Sequence, residues 1–517
     1  MSRRGMVASS QPLAVEAAIN TLRRGGNAID AAVTATSALM VLEPMSTGLG
    51  GDCFALLYLA KENRLIGINA SGRAPGAASA EALLERGMRQ MPLEGAHCIT
   101  VPGALDGLAR CLTGYGTITL REALSPAIFY AEHGFPLTEV AAQMWERASI
   151  KLRRNAESAR VYLPHGRVPH PGQLFRNPDL AQTLRLIAER GPGVFYRGEI
   201  GEAIVAAVQH LDGVLSLADL NQHTSEEVEP LKTTYRGYDV IEMPPNNQGL
   251  TALIAFNVVE GYQLASMGHS SPEYLHCMIE AMKLALADAA EHIADPGESL
   301  PVDALLSKKH AQELRAQINP LKARSAFDTG IENAHSDTVY VAVVDEERNV
   351  VSMISSLFKA FGSGVTVPDT GLLLQNRGSG FSLEANHPNR LSPNKRPFHT
   401  IMPAMIMHDH QPWACFGVVG GMMQPQGHLQ VVCNLIDFEM NPQSALDAPR
   451  FRILEDGHVT LEDGVSEDAR ARLASAGHSL LSAFTEEGFG GGQVILISDG
   501  TLYGGSDPRK DGCAVGY

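Results

Sequence analysis

A change of pattern in mid-chain limits the fold more than any other feature. Up to about residue 320 most segments carry apolar residues at helical spacing. The early stretch PLAVEAAINTLRRGGNAIDAAVTATSALMVLEP is one, with Gly25-Gly26-Asn27 dividing two expected helices. VPGALDGLARCLTGYG, LREALSPAIFYAEHG and the strongly amphipathic LHCMIEAMKLALADAAEH predict further helices. Among them, GLGGDCFALLYLA and NRLIGINASGRAP predict paired strands, and TTYRGYDVIEMPPNNQG a single strand followed by a loop. From Thr338 onward strands dominate. TVYVAVVD, an EERN turn and VVSMISSL predict a β-hairpin, and MPAMIMH, PWACFGVVGG, QVILIS and TLYGGSDP predict four more strands. Helices in QPQGHLQVVCNLIDF and SEDARARLASAGH separate some of them. No repeat and no low-complexity linker divides the two parts, so they predict one layered α+β body.

Composition removes several classes of function. A 44% hydrophobic share over 517 residues can bury a large interior. Net charge is −16 with no cluster of Lys and Arg, which argues against nucleic acid or an anionic membrane as partner. The seven cysteines (Cys53, Cys98, Cys111, Cys277, Cys415, Cys433 and Cys513) form no CxxC pair, so neither a zinc site nor a disulfide framework is expected. MSRRGMVASSQPLAVEAA lacks the apolar core of a signal peptide, and no apolar run approaches the ~20 residues that span a bilayer. A cytoplasmic enzyme is the expectation.

Few stretches carry chemistry. GLGGD (48–52) and GFGGGQ (488–493) lack the Lys-Ser/Thr of a phosphate loop and are expected to be turns. His408-Asp409-His410 has no third ligand nearby and is expected to be a solvated turn, so no metal or other cofactor is called for. No GxSxG elbow and no HExxH motif occurs. Thr338, directly after Asp337 at the head of an expected strand, has two readings. As a β-branched residue it suits a strand. As a new N-terminus it would carry its own base, because an α-amine titrates near ~7.7–8.0 and can take the hydroxyl proton.

Ordered blocks favour the second reading. GGNAIDAAVTATSALMVLEPMSTGLGGDCFALLY (25–58), VPGALDGL (101–108), MPPNNQG (243–249), DTVYVAVVDEERNVVSM (337–353), PNKRPFHTIMPAM (393–405), GVVGG (417–421) and YGGSDPRKDGCAVGY (503–517) follow one another. Through them the chain, from Gly5 to Tyr517, resembles the γ-glutamyltransferase family of N-terminal-nucleophile hydrolases. The resemblance implies a four-layer αββα sandwich that cleaves itself between Asp337 and Thr338. A large subunit, 1–337, and a small one, 338–517, would stay intertwined, and could pair as a dimer of heterodimers. It also implies Thr338 as nucleophile, Gly420 and Gly421 as oxyanion donors, and Ser356 as an assisting hydroxyl.

The family's contacts to a γ-glutamyl group are replaced. Its arginine position is held by Ser71, its aspartate by Gly380, its asparagine by Phe358, and its serine pair by His399-Thr400. What stands near these positions is Arg73, Arg377, His399 and Thr400 as donors, with Phe358 shortening the pocket. A small amide bearing a carboxylate but no amine fits that set, as in the cytosolic branch of the family that converts oxamate to oxalate and ammonia in purine catabolism. The alternatives are a γ-glutamyl hydrolase or transferase, an uncleaved, non-enzymatic relative, and an acylase for larger carboxylate-bearing amides such as glutaryl side chains.

Overall fold

The computed structural model describes residues 1–295, 300–324, 336–481 and 488–517, without the side chains of Ser336 and Asp337. Its architecture follows from strands that are apolar on both faces. In the strand Ser336–Val344, Val339, Val341 and Val343 enter one hydrophobic cluster, while Tyr340, Ala342 and Val344 enter another. The neighbouring strand Asp52–Leu59 divides likewise, with Ala55 and Leu57 on one side and Phe54, Leu56 and Tyr58 on the other. Side chains alternate along a strand, so a run with no polar face must be covered twice. Helices cover one face and a second sheet covers the other.

The first sheet has seven strands in the order Cys513–Gly516, Met6–Ser9, Ser336–Val344, Val350–Lys359, Asp52–Leu59, Arg64–Ala70 and Glu226–Val228. The second has six: Thr501–Ser506, Gly491–Ser498, Gln411–Val419, Ala404–His408, Tyr238–Glu242 and Leu231–Tyr235. Outside the first sheet lie helices such as Ala28–Leu42, buried at all its positions; outside the second lie Gly249–Val259, Pro272–His292 and Met423–Ile436. The result is the αββα sandwich. Both sheets mix strands from before and after Thr338, so no spatial boundary falls at that residue.

Three details differ from the sequence reading. TTYRGYDVIEM forms two strands, not one, because Arg236 and Gly237 both adopt left-handed backbone (φ 54° and 88°) and reverse the chain. Met6–Ser9 and Cys513–Gly516, too short to register as periodic, pair with each other, and Met6–Ser9 also pairs with the Thr338 strand. The helix Pro272–His292 is buried along most of its length, its polar residues included. Lys283 and Glu280 pair at 3.1 Å, and His276 meets His478 at 2.8 Å. His408–His410 is a hairpin turn, as expected. No helix among the described residues is long and apolar enough to cross a membrane.

Candidate active site

Thr338 is fully buried, and its Oγ1 donates a hydrogen bond to Ser356 Oγ at 3.1 Å. A β-bulge creates this contact. Strands Ser336–Val344 and Val350–Lys359 pair regularly as far as Val339 opposite Ser355, and pairing resumes only with Asp337 opposite Phe358. Ser356 and Leu357 together therefore oppose Thr338. Bulges re-aim side chains in this way. The local distortion is concentrated at Phe358, whose φ of 80° is a left-handed conformation costing roughly 1–3 kcal/mol in a bulky residue. Its N–H is not lost, since it donates to Ser356 Oγ at 2.8 Å.

Gly420 and Gly421 follow the strand Gln411–Val419 with φ of 125° and 62°, values that few residues other than glycine adopt. Neither N–H has an acceptor among the described residues. Gln248 fixes the turn from behind, donating from Nε2 to Gly421 O at 3.1 Å and to Thr400 O at 2.6 Å. Two adjacent N–H groups left free on a braced turn are the kind of donor that an oxyanion hole requires.

Through Thr400 that turn connects to Arg377. The arginine is fully buried, donates from Nη1 to Thr400 Oγ1 at 2.9 Å, and lies 4.0 Å over the Phe358 ring. Its Nε and Nη2 find no acceptor among the described residues. Burial drives its pKa from 12.5 down to about 9, opposed only by the charge of Asp52. Asp52 cannot offer its lone pairs freely. It accepts hydrogen bonds from Gly72 N–H (2.9 Å), Gln375 Nε2 (3.1 Å) and His399 Nε2 (3.0 Å). His399 is likewise fully buried, and burial together with Arg377 lowers its pKa to about 3, so it is neutral and holds its proton toward Asp52. A second cation, Lys359, lies 4.6 Å from the Phe358 ring.

The residues expected to bind substrate thus separate. Arg377, Phe358, His399 and Thr400 form one buried group joined to Thr338 through Ser356. Arg73, expected beside them, is committed elsewhere. It is half-buried and paired with Glu226 at 3.1 Å and Asp295 at 3.2 Å. Ser71 donates to Asn69 Oδ1 at 2.7 Å and accepts Arg396 Nε on its carbonyl at 3.1 Å, a structural role. The Asp337 side chain lies outside the described residues. Asp52, Gln248 and Gln375 were not foreseen. Only Asp52 carried a signal, an acid opening an otherwise apolar strand.

A buried hydroxyl near the head of a central strand, in a sandwich of two sheets between helices, defines the N-terminal-nucleophile hydrolases, which act on amide C–N bonds. Residues 14–517 match the profile of the gamma-glutamyltranspeptidase family, and the chain belongs to that family. It is 37% identical to the glutathione hydrolase-like YwrD proenzyme of Bacillus subtilis (strain 168), over 99% of this chain and 98% of that one. It is 34% identical to the oxamate amidohydrolase proenzyme of Klebsiella pneumoniae, over 100% and 99%. A crystal structure of cephalosporin acylase from Bacillus halodurans superposes with a TM-score of 0.93 at 41% identity, covering 100% of this chain and 96% of that one.

Proposed function

We propose that this chain is a precursor that cuts its own Asp337–Thr338 peptide, and that freed Thr338 hydrolyses a small amide bearing a carboxylate, oxamate being the simplest. The observation that carries the substrate class is Arg377. A fully buried guanidinium whose Nε and Nη2 have no acceptor among the described residues suits a carboxylate that arrives with the substrate and accepts both. In the reaction Thr338 Oγ attacks the amide carbonyl while its α-amine takes the hydroxyl proton. The oxyanion forms against the N–H groups of Gly420 and Gly421. Collapse breaks the C–N bond, the amine's proton leaves with ammonia, and water then hydrolyses the ester, giving oxalate from oxamate. A γ-glutamyl donor is disfavoured because its ammonium would need an acid, and Asp52 already accepts three donors.

Two measurements test the reading. Intact mass and N-terminal sequencing should find a chain that begins at Thr338, and Thr338→Ala should neither split nor turn over. Ammonia release from oxamate should exceed that from glutaryl amides and turnover of γ-glutamyl anilides. Turnover confined to the γ-glutamyl substrate removes the carboxylate proposal. An active chain still joined at residue 337 removes the nucleophile.

A further inference from the structure

The two glycines of the proposed oxyanion hole rest on a second loop. Gly490 has a left-handed φ of 75°, and a Cβ built on it would come within 2.3 Å of Val419 O. A Cβ on Gly420 would meet Gly490 Cα at 3.1 Å. The two glycine backbones therefore pack closely, with the Met423 side chain beside both, and whatever fixes residues 488–492 also bears on the peptide that carries Gly420 N–H. Two buried residues do so. Arg450 donates from Nη1 to Phe489 O at 2.9 Å and from Nη2 to Asp507 Oδ2 at 2.6 Å. The same Asp507 oxygen accepts Gly492 N–H at 2.8 Å. Its other oxygen is held at 3.0 Å by both Arg509 N–H and Arg509 Nη1. Arg452 adds a bond from Nη1 to Gly488 O at 2.8 Å.

We infer that the Arg450–Asp507 ion pair sets the position of the oxyanion hole, acting through residues 489–492 on Gly420. Neither residue touches the reacting atoms, so both are positioning residues. The inference rests on Gly420 and Gly421 as the oxyanion donors. Its physical basis is that such donors work only within a narrow range of distance, so that a shift of about 1 Å can cost ~100-fold in rate. A ground-state carbonyl makes weaker demands on them, and the loss should fall on kcat.

Three variants of the full chain test this. Asp507→Asn keeps the shape and removes the charge. Arg450→Lys keeps the charge but cannot reach Phe489 O and Asp507 together. Gly490→Ala presses directly on Val419 O. Self-cleavage rate, kcat, KM and the thermal midpoint are measured for each. The expected result is a fall of about 10–100-fold in kcat and in self-cleavage, with KM within about twofold, in variants that remain folded at the assay temperature. If Asp507→Asn does not fold, the other two carry the test. Unchanged rates, or a change in KM alone, overturn the positioning role while leaving Thr338 as nucleophile. A wild-type chain that never cleaves overturns both.

Discussion

Arg377 and Arg450 are both shut off from solvent, and their surroundings are opposite. Arg450 has a carboxylate at 2.6 Å and two carbonyls, with only Nε unmatched among the described residues. Arg377 has one hydroxyl and an aromatic face, with two nitrogens unmatched. A buried charge beside its acid is internally complete, and removing either partner leaves the other stranded. A buried charge without an acid destabilises the fold by itself, although a ring at 4.0 Å offsets ~2 kcal/mol of that.

The largest effect that would test this contrast is on stability. Arg450→Met should lower the unfolding free energy by about 3–5 kcal/mol, because buried Asp507 then keeps only Arg509 as a charged partner and Phe489 O loses its donor. Arg377→Met should be neutral or stabilising at pH 7, since it removes an uncompensated cation. Urea midpoints that fall equally in both variants would break the comparison. Next comes activity: Arg377→Met should lose about 2–5 kcal/mol in kcat/KM toward a carboxylate-bearing amide while still cutting itself. If kcat/KM is unaffected in assays of the cleaved variant, the carboxylate does not bind there.

The pH profile sharpens the same point. Burial lowers the folded pKa of Arg377 below its unfolded value, so its cation costs stability at neutral pH, and that cost fades as pH climbs from about 9 toward 12.5. Binding of the carboxylate needs the cation. KM should therefore rise above about pH 9 in the wild type, an alkaline limb that Arg377→Met should lack. The smallest effect is expected at Arg73. Its partners are partly exposed, so Arg73→Lys should stay within about 1 kcal/mol in both stability and kcat/KM. A tenfold loss of turnover would bring Arg73 back to the site.

Legibility varied with the range of the interactions. The hairpin after Thr338 and the helices Pro12–Arg23 and Ala28–Leu42 were readable because period and turn residues are local signals. The short strands near the two termini were not, since four residues carry no period and gain their partners only across the whole chain. Within the site, ordered motifs pointed to Thr338, Ser356, Gly420 and Gly421. Sequence spacing ranked Arg73 and Arg377 alike, and it passed over Asp52, Arg450 and Asp507 as ordinary charges.

The amino-acid order by itself determined the class of chemistry: ordered blocks that match the gamma-glutamyltranspeptidase family, a hydroxyl residue near the head of an apolar strand, and glycines where main chain must come close. Only the tertiary structure decided that Arg450 lies against Asp507 while Arg377 stacks on Phe358, and which loop packs beside the glycine turn. The reason is that pairing and burial belong to residues brought together from distant parts of the chain. A charge in the sequence has no partner until the fold gives it one or leaves it without.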